Sequence, residues 1–377
     1  MAIFDQPKTS YNNTELNPRV LSEIIQIIDP IDTPLLSRLG LNSAAGKFKF
    51  KPGAGKKIEW FEDAYATLVD AVDEAGGWDN SSTTSLTVDD GSKFQPGHVI
   101  LVESEKLVVS AVSGQELSVY ARGFGTTSAA THADDTVVTI VGMSRLEGDD
   151  VDYAGIVEVS SPYNFTSIFQ KGIGVSGTDM AMYKYAINDE FEYQAMKAAK
   201  EALRDIERYL FYGERVEGSA SAPRSFGGLP TFVGNNTVAA SGTITKADVD
   251  GLAESIYLDG GNPDLLVLHP SVANDLRNLL DSSSFIRFGQ ENKTLGMQPV
   301  EHIVTQYGNM ELLMDRNMPL ATGYMLDTSK IGIYTLRPFE WFDIGRTGDN
   351  HKGELIGEFS FVVANNEAHG TITGITS

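Results

Sequence analysis

The sequence predicts an α+β fold built around one long helix, with a small all-β module set into the chain ahead of it. Three observations predict this. The stretch "DEFEYQAMKAAKEALRDIERYLFYG", from Asp189 to Gly213, keeps a helical period without a break. From Phe94 to Gly142, short Val/Ile/Leu-rich runs recur between Gly, Ser-Gly and Asp-Asp turns, the pattern of a small all-β domain. After Ser225, short helices and strands alternate, and the chain finishes strand after strand.

Composition sets the outer bounds. The 377 residues suffice for two or three domains with real cores, and 41% hydrophobic with 21% charged residues is an ordinary globular balance. The net charge of −22 argues against gripping DNA or RNA through a phosphate-neutralising surface, and against docking on anionic membranes. There is no cysteine, which removes disulfides, thiolate metal sites and thiol catalysis together. "MAIFDQPKTSYNNTELNPRV" has no basic flank followed by an apolar core, and no window approaches eighteen consecutive apolar residues. A soluble product made in the cytoplasm is therefore expected, with no secretion signal and no membrane span.

Taken in order, "LSEIIQIIDPIDTPLLSRLG" holds two brief helical pieces split at Asp29-Pro30 and Thr33-Pro34, because a proline disfavours helix at the residue before it. Pieces this short are unstable alone, so their Ile and Leu faces need another surface. "KFKFK", Lys47 to Lys51, alternates with the period of a strand. The later limb "SRLEGDDVDYAGIVEVSSPYNFTSIFQKGIGVSG" carries Ile156, Val157, Val159, Phe165, Ile168 and Phe169. Neither limb has a core of its own, and a two-stranded arm is marginal in isolation. Between them lies the β module, with polar boundaries at "GGWDNSSTTS" and "SRLEGDD".

Thr178 and Asp179 are good N-cap residues, which starts the long helix at Met180. Its apolar face reads Met180, Tyr183, Ile187, Phe191, Ala195, Ala198, Ala202, Ile206 and Leu210. Surface pairs Lys197–Glu201 and Arg204–Glu207 support it, and Gly213 stops it. From Thr178 to Tyr212 it would span roughly 50 Å. The mid-helix alanines imply that a sheet or another backbone comes close. Beyond it, "TKADVDGLAESIYLDGG" is a helix capped by Thr245 and stopped at Gly260; "DLLVLHP" is a buried strand; "SVANDLRNLLD" is a helix capped by Ser271. "VEHIVTQYGNMELLMDRNMP" reads as two strands around a Gly308-Asn309 turn.

Motifs that suggest chemistry fail on inspection. "GIGVSG", Gly172 to Gly177, matches a dinucleotide-binding turn, but the acidic residue required about 20 positions on would fall inside the helix near Met196. These read as turn glycines. "GAGKK" would place the first glycine of a phosphate loop on Phe50 and Lys57 where Ser or Thr belongs. His98, His132, His269, His302, His351 and His369 are scattered without metal-ligand spacing. "THADD" reads as a polar turn, and "VDDGSKF" lacks the alternation of a calcium loop. No carboxylate pair stands out for acid–base work, so no catalytic, cofactor-binding or metal residue is assigned. In "EWFEDAY", Trp60, Phe61 and Tyr65 either pack locally or anchor a neighbouring subunit.

The order of elements resembles the major capsid proteins of tailed bacteriophages with the Hong Kong 97 fold, over nearly the whole chain. "DTPLLSRLG", "DIERYLFYG", "FGGLPTFV" and "GELIGEFSFVVANNEAHG" are similar to segments of one branch of that family. The resemblance implies an N-terminal arm at 1–44 and an extended loop at 45–80 and 143–177. An inserted β domain at 81–142 departs from the minimal fold. It further implies a peripheral domain with its spine helix at 178–224, an axial domain at 225–325 and returning strands at 326–377. The module would sit on the outer surface or between capsomers.

Function follows from the resemblance as an expectation: a non-enzymatic major capsid protein, without cofactors, assembling as hexamers and pentamers of an icosahedral head. Its location would be the virion capsid, assembled in the host cytoplasm. Portal protein, a separate scaffolding protein, a decoration protein and unspecifically held double-stranded DNA are the implied partners, with no membrane. Lys47, Lys49, Lys51, Lys56 and Lys57 lie in the limb where some members form isopeptide cross-links, but solvated strand charges are the reading adopted. The rival readings are a phage or bacterial surface or tail-associated binding protein with the β module as ligand head, and an enzyme using "GIGVSG" or an acidic cluster.

Overall fold

The computed structural model describes residues 32–50, 55–79, 84–148, 150, 158–184, 187, 189–282 and 302–376. The helical piece expected around Ile24–Ile28, together with Lys51, Ile156 and Val157, lies outside the described residues. The chain divides into two compact units, one running to Trp60 and again from Pro162, the other Phe61–Ser161.

The first unit opens with α1 (Pro34–Leu39), α2 (Ser43–Phe48) and β1 (Lys57–Glu59). The second holds β2 (Val69–Ala71), β3 (Ser85–Thr87), β4 (His98–Val102), β5 (Glu105–Ser113), β6 (Glu116–Val119) and β7 (Val137–Met143). The first resumes with β8 (Tyr163–Phe165), β9 (Ser167–Ser176), α3 (Gly177–Ala181), α4 (Glu190–Tyr212) and α5 (Leu229–Phe232). Then come β10 (Asn236–Gly242), α6 (Lys246–Leu258), β11 (Leu265–Leu268), α7 (Pro270–Ser282), β12 (His302–Thr305) and β13 (Gly308–Met314). The last strands are β14 (Gly323–Leu326), β15 (Ile331–Ile344), β16 (Asn350–Val363) and β17 (Gly370–Ile375).

A mixed six-stranded sheet, ordered β10-β17-β14-β11-β13-β12, organises the first unit. β11 explains why this sheet can carry cores on both sides. All four of its residues are apolar and fully buried, as expected of a strand covered on both faces. Leu265 and Val267 join one cluster with Ile206, Leu210 and Phe211 of α4. Leu266 and Leu268 join the opposite cluster with Leu252 and Ile256 of α6 and Val272 and Leu276 of α7. Thr245 caps α6 through a reciprocal capping box with Asp248, and Gly260 follows it at φ 84°. α7 begins at Pro270, two residues earlier than a Ser271 cap implies; His269, through Nδ1, accepts the N–H of Ser271. The β12–β13 hairpin turns at Gln306-Tyr307, with Gly308-Asn309 already in β13.

A second sheet, β15-β16-β9, pairs two 14-residue strands with β9. Its register slips between Thr335 and Glu340, around Pro338. A proline there costs no ladder bond, because β15 is an edge strand and the slip removes the demand for its N–H. The glycines Gly172 and Gly174 are strand residues opposite Glu354 and Lys352, a correction to the turn expected from "GIGVSG". A short ribbon pairs Lys57, Ile58 and Glu59 with Phe165, Asn164 and Tyr163.

The long helix is shorter than its periodicity implies. α4 is 23 residues, about 34 Å, and begins at the Asp189 cap, whose carboxylate accepts the N–H groups of Phe191 and Glu192. Upstream, Met182 leaves helical geometry, and Lys184 bridges the interruption by pairing with both Asp179 and Glu190. Met180 and Tyr183 are exposed, so the apolar stripe that would have carried helix through this stretch meets no core. Ala198 and Ala202 are buried, and β9 packs beside the helix as the alanines required. "KFKFK" is a second correction. Lys47 and Phe48 end α2, and Lys49 turns left-handed at φ 54°, so Phe48 and Phe50 return to one patch beside Tyr334. The turn satisfies the alternation without a strand.

The second unit is a six-stranded barrel. The order β2-β7-β4-β5-β6-β3 closes where Val72 bridges Val88, with Asp73 N–H on Thr87 O at 2.9 Å and Asp89 N–H on Ala71 O at 3.2 Å. Val72, Leu86, Ile100, Val102, Leu107, Val109, Leu117 and Val138 fill its interior. Val69–Ala71 and Trp78 thus belong to the barrel, N-terminal to the 81–142 bounds expected for the module. Glu62 and Ser160 exchange two backbone hydrogen bonds of 2.9 Å, which holds the entry and exit of this unit side by side.

Candidate assembly site

Four arrangements stand out among the described residues. The first lies where the β1–β8 ribbon meets the sheets. Asn164 is fully buried, and its Nδ2 donates to Gly227 O at 3.0 Å and Phe361 O at 2.6 Å. Its Oδ1 accepts from Gly227 N at 2.8 Å and Phe165 N at 2.9 Å, so every amide valence is used. Beside it, Thr166 donates to Glu358 at 2.6 Å, and Arg224 and Arg337 both pair with that carboxylate. Burial alone would raise Glu358, but Thr166 and the two arginines outweigh it and hold the carboxyl below its ordinary range. Above the ribbon, Trp60 is buried against Phe232, with ring centroids 5.7 Å apart.

The second arrangement fastens α1. Thr33 offers no side-chain cap to this helix. Glu207 of α4 supplies one instead, accepting the N–H groups of Leu35 and Leu36 at 2.8 Å each. The expected surface pair Arg204–Glu207 is therefore corrected: Glu207 is wholly buried, and the nearest carboxylate partner of Arg204 is Asp205 at 4.0 Å. Helical spacing could not reveal this, because the partners lie 172 and 171 residues away.

In the barrel, His132 is fully buried, with Nδ1 3.0 Å from Glu103 and Nε2 3.0 Å from Glu105. Glu105 also takes a bidentate pair of 2.9 Å bonds from Arg122, whose guanidinium lies 3.6 Å over the Trp78 ring. Burial would raise Glu105; Arg122, the Ala130 N–H, His132 and the Gly123 N–H bring it down to about 2. "THADD" does turn, at Asp134-Asp135, while His132 at its start is a buried structural keystone. This cluster's hydrogen bonds go to protein groups, and no group of three or more His, Asp or Glu among the described residues is arranged to hold a metal.

The fourth arrangement is surface. Phe61 and Tyr65 are 83% and 100% exposed, so the aromatics of "EWFEDAY" divide, Trp60 packing inward and these two outward. In the first unit a groove of about 600 Å³ runs between β9 and α4, lined by Gly172, Gly174, Gln194, Lys197 and Glu201. The expected loop lysines are engaged differently from one another. Lys47 donates to Thr328 O and Ile331 O, and burial lowers its ammonium; Lys56 reaches Glu217, and Lys57 pairs with Glu59 over the Tyr163 ring. Of the remaining histidines, His369 is buried between Asp327 N and Ala364 O, and burial pushes it down to about 4. Among the described residues no helix is long and apolar enough to cross a membrane.

Comparison with solved structures places this architecture. The capsid subunit of cyanophage A-1(L) aligns with a TM-score of 0.58 at 14% identity, over 98% of this chain and all of that one. The capsid of a native GTA particle aligns at 0.54 and 10% identity over 99% and 100%, and a chain of Mycobacterium phage Bobi at 0.50 and 9% over 98% and 99%. No curated protein matches by sequence. The fold is that of Hong Kong 97-like phage capsid subunits, a class of structural shell protein. The model of one family, the SU10 major capsid protein, matches residues 6–376. The chain belongs to that family and is a major capsid protein of tailed-phage type; the ligand-binding alternative is not favoured.

Proposed function

We propose that copies of this chain form hexamers and pentamers that close into an icosahedral head around double-stranded DNA. The observation that carries this is the family match across residues 6–376, which leaves little of the chain for another task. The net charge of −22 supports a container wall that does not hold the genome by neutralising phosphate. The exposed Phe61 and Tyr65 support contacts completed by neighbouring copies. The protein acts without catalysis or cofactor. We propose that the first unit supplies the arm, peripheral and axial domains, and that the barrel is an insertion in the extended loop. Portal, scaffolding and decoration proteins are its partners, and assembly takes place in the host cytoplasm.

Sedimentation velocity followed by negative-stain microscopy of the full chain tests this. Five- or six-membered rings, sheets, tubes or closed shells are expected, alone or with lysate from phage-producing cells. A monodisperse monomer or dimer at high concentration, unchanged by salt, crowding or lysate, overturns it.

A further inference from the structure

We infer that Glu207 and Asp315 share one proton, and that holding this proton is part of how α1 stays docked. The inference concerns the folded subunit and does not depend on how copies assemble.

Both carboxyl groups are fully buried. Asp315 follows β13, and its Oδ1 accepts the N–H and Nδ2 of Asn317 at 2.7 and 3.0 Å. Its Oδ2 is buried without a hydrogen-bond donor. Glu207 lies against Asp315, and its two oxygens receive the N–H groups of Leu35 and Leu36. Two ionised carboxylates in contact inside a core would each lack compensation. A proton on Glu207 donated toward Asp315 Oδ2 satisfies the one orphaned oxygen and removes the repulsion. Burial first, then Asp315, pushes the Glu207 carboxyl up to about 9 against the opposing pull of the Leu35 and Leu36 N–H groups.

The surrounding charges do not relieve the pair. Arg316 is engaged with Asp32 at 3.6 Å and Arg38 with Glu311 at 3.1 Å. On the elements packed nearby, Lys47 of α2 binds backbone carbonyls, Lys171 of β9 pairs with Asp205, and Arg224 and Arg337 pair with Glu358 of β16. Asp315 is the one charged group of these that acts on Glu207.

The consequence for α1 is a matter of linkage. Leu35, Leu36 and Leu39 cover the α4 face that bears Glu207. When α1 lifts, water reaches Glu207 and it ionises as an ordinary carboxylate. Docking therefore takes up a proton, and α1 is held less tightly as pH rises from the ordinary carboxylate range toward 9.

Hydrogen exchange of the full chain, read at Leu35–Leu39 between pH 6 and 9 and corrected for intrinsic rates, tests this. The opening constant of α1 should rise with pH, by up to about tenfold per unit. In Glu207→Gln, the amide can donate to Asp315 with no proton to lose, but it gives up the acceptor for one of the Leu35 and Leu36 N–H groups; in Asp315→Asn, the amide donates to an ionised Glu207. Either variant should flatten the slope, and the second stands if the first does not fold. A wild-type constant that is flat, or that falls with pH, overturns the proposal, as does an unchanged slope in Asp315→Asn.

Discussion

Asn164 and Gly227 hold each other by two reciprocal hydrogen bonds, Nδ2 to carbonyl at 3.0 Å and N–H to Oδ1 at 2.8 Å. The pair joins the ribbon to the segment leading into α5, and Asn164 reaches on to β16 through Phe361 O. Asn164→Ala leaves buried donors and acceptors on three segments without partners, at a cost of about 2–4 kcal/mol. Asn164→Asp costs more, because a carboxylate then faces two carbonyl oxygens. Denaturant unfolding of both variants should rank them in that order, below wild type.

Gly228 lies against the end of α4, where a methyl group would come 2.4 Å from Leu210 O and 2.8 Å from Tyr209 O. Both obstacles are helix backbone, so the strain cannot be relieved by a rotamer change. Gly228→Ala should lower the melting temperature by several degrees, corresponding to about 1–3 kcal/mol. The φ of this region is not the issue; space is.

The barrel depends on its buried charges. Arg122→Leu leaves Glu105 buried without its bidentate partner, a change that costs about 3–5 kcal/mol in comparable settings. Limited proteolysis between residues 61 and 161 should accelerate in this variant, while fragments of the rest stay protected. In the wild type, the folded-state depression of Glu105 contributes stability that is full above pH 4.5 and lost as pH falls toward 2.

His369 adds a milder acid sensitivity. Its folded value lies near 4 against 6.5 ordinarily, so the unfolded chain binds the extra proton between those limits. Stability is fully present above pH 6.5 and declines as pH drops through that window, by on the order of 3 kcal/mol at most. Replacing His369 with Gln, which can still accept from Asp327 N, should flatten the melting-temperature curve between pH 7 and 4.5.

Phe61→Ser with Tyr65→Ser removes two of the three most exposed aromatic rings among the described residues without touching a core. The circular dichroism spectrum and melting temperature should match wild type within error. Yield of assembled particles in the sedimentation assay should drop at least several-fold. Equal yield would remove these rings from the assembly surface.

Much of the architecture was legible locally. The Thr245–Asp248 box, the all-apolar run of β11 and the caps of α6 are determined by neighbours within four residues, so periodicity and capping chemistry reach them. The arm clamp was not legible, since nothing near Glu207 in sequence distinguishes it from a solvated helix glutamate paired with Arg204. The same holds for His132, whose partners sit 27 and 29 residues away across a barrel. "KFKFK" misleads because a helix end followed by a single left-handed residue, Lys49, brings Phe48 and Phe50 to one side as a strand would. "GIGVSG" misleads because glycines spaced for a turn also suit a strand lying close under a helix.

The paired hydrogen bonds of Glu62 and Ser160 give the barrel the character of a cassette. Its two ends are already neighbours, and its strands close on themselves with no edge left seeking a partner. A foreign domain whose own termini lie together could be spliced in at that junction with little demand on loop-closure entropy. The family's scaffold would then serve as a chassis for display, with the cargo chosen independently of the wall that carries it.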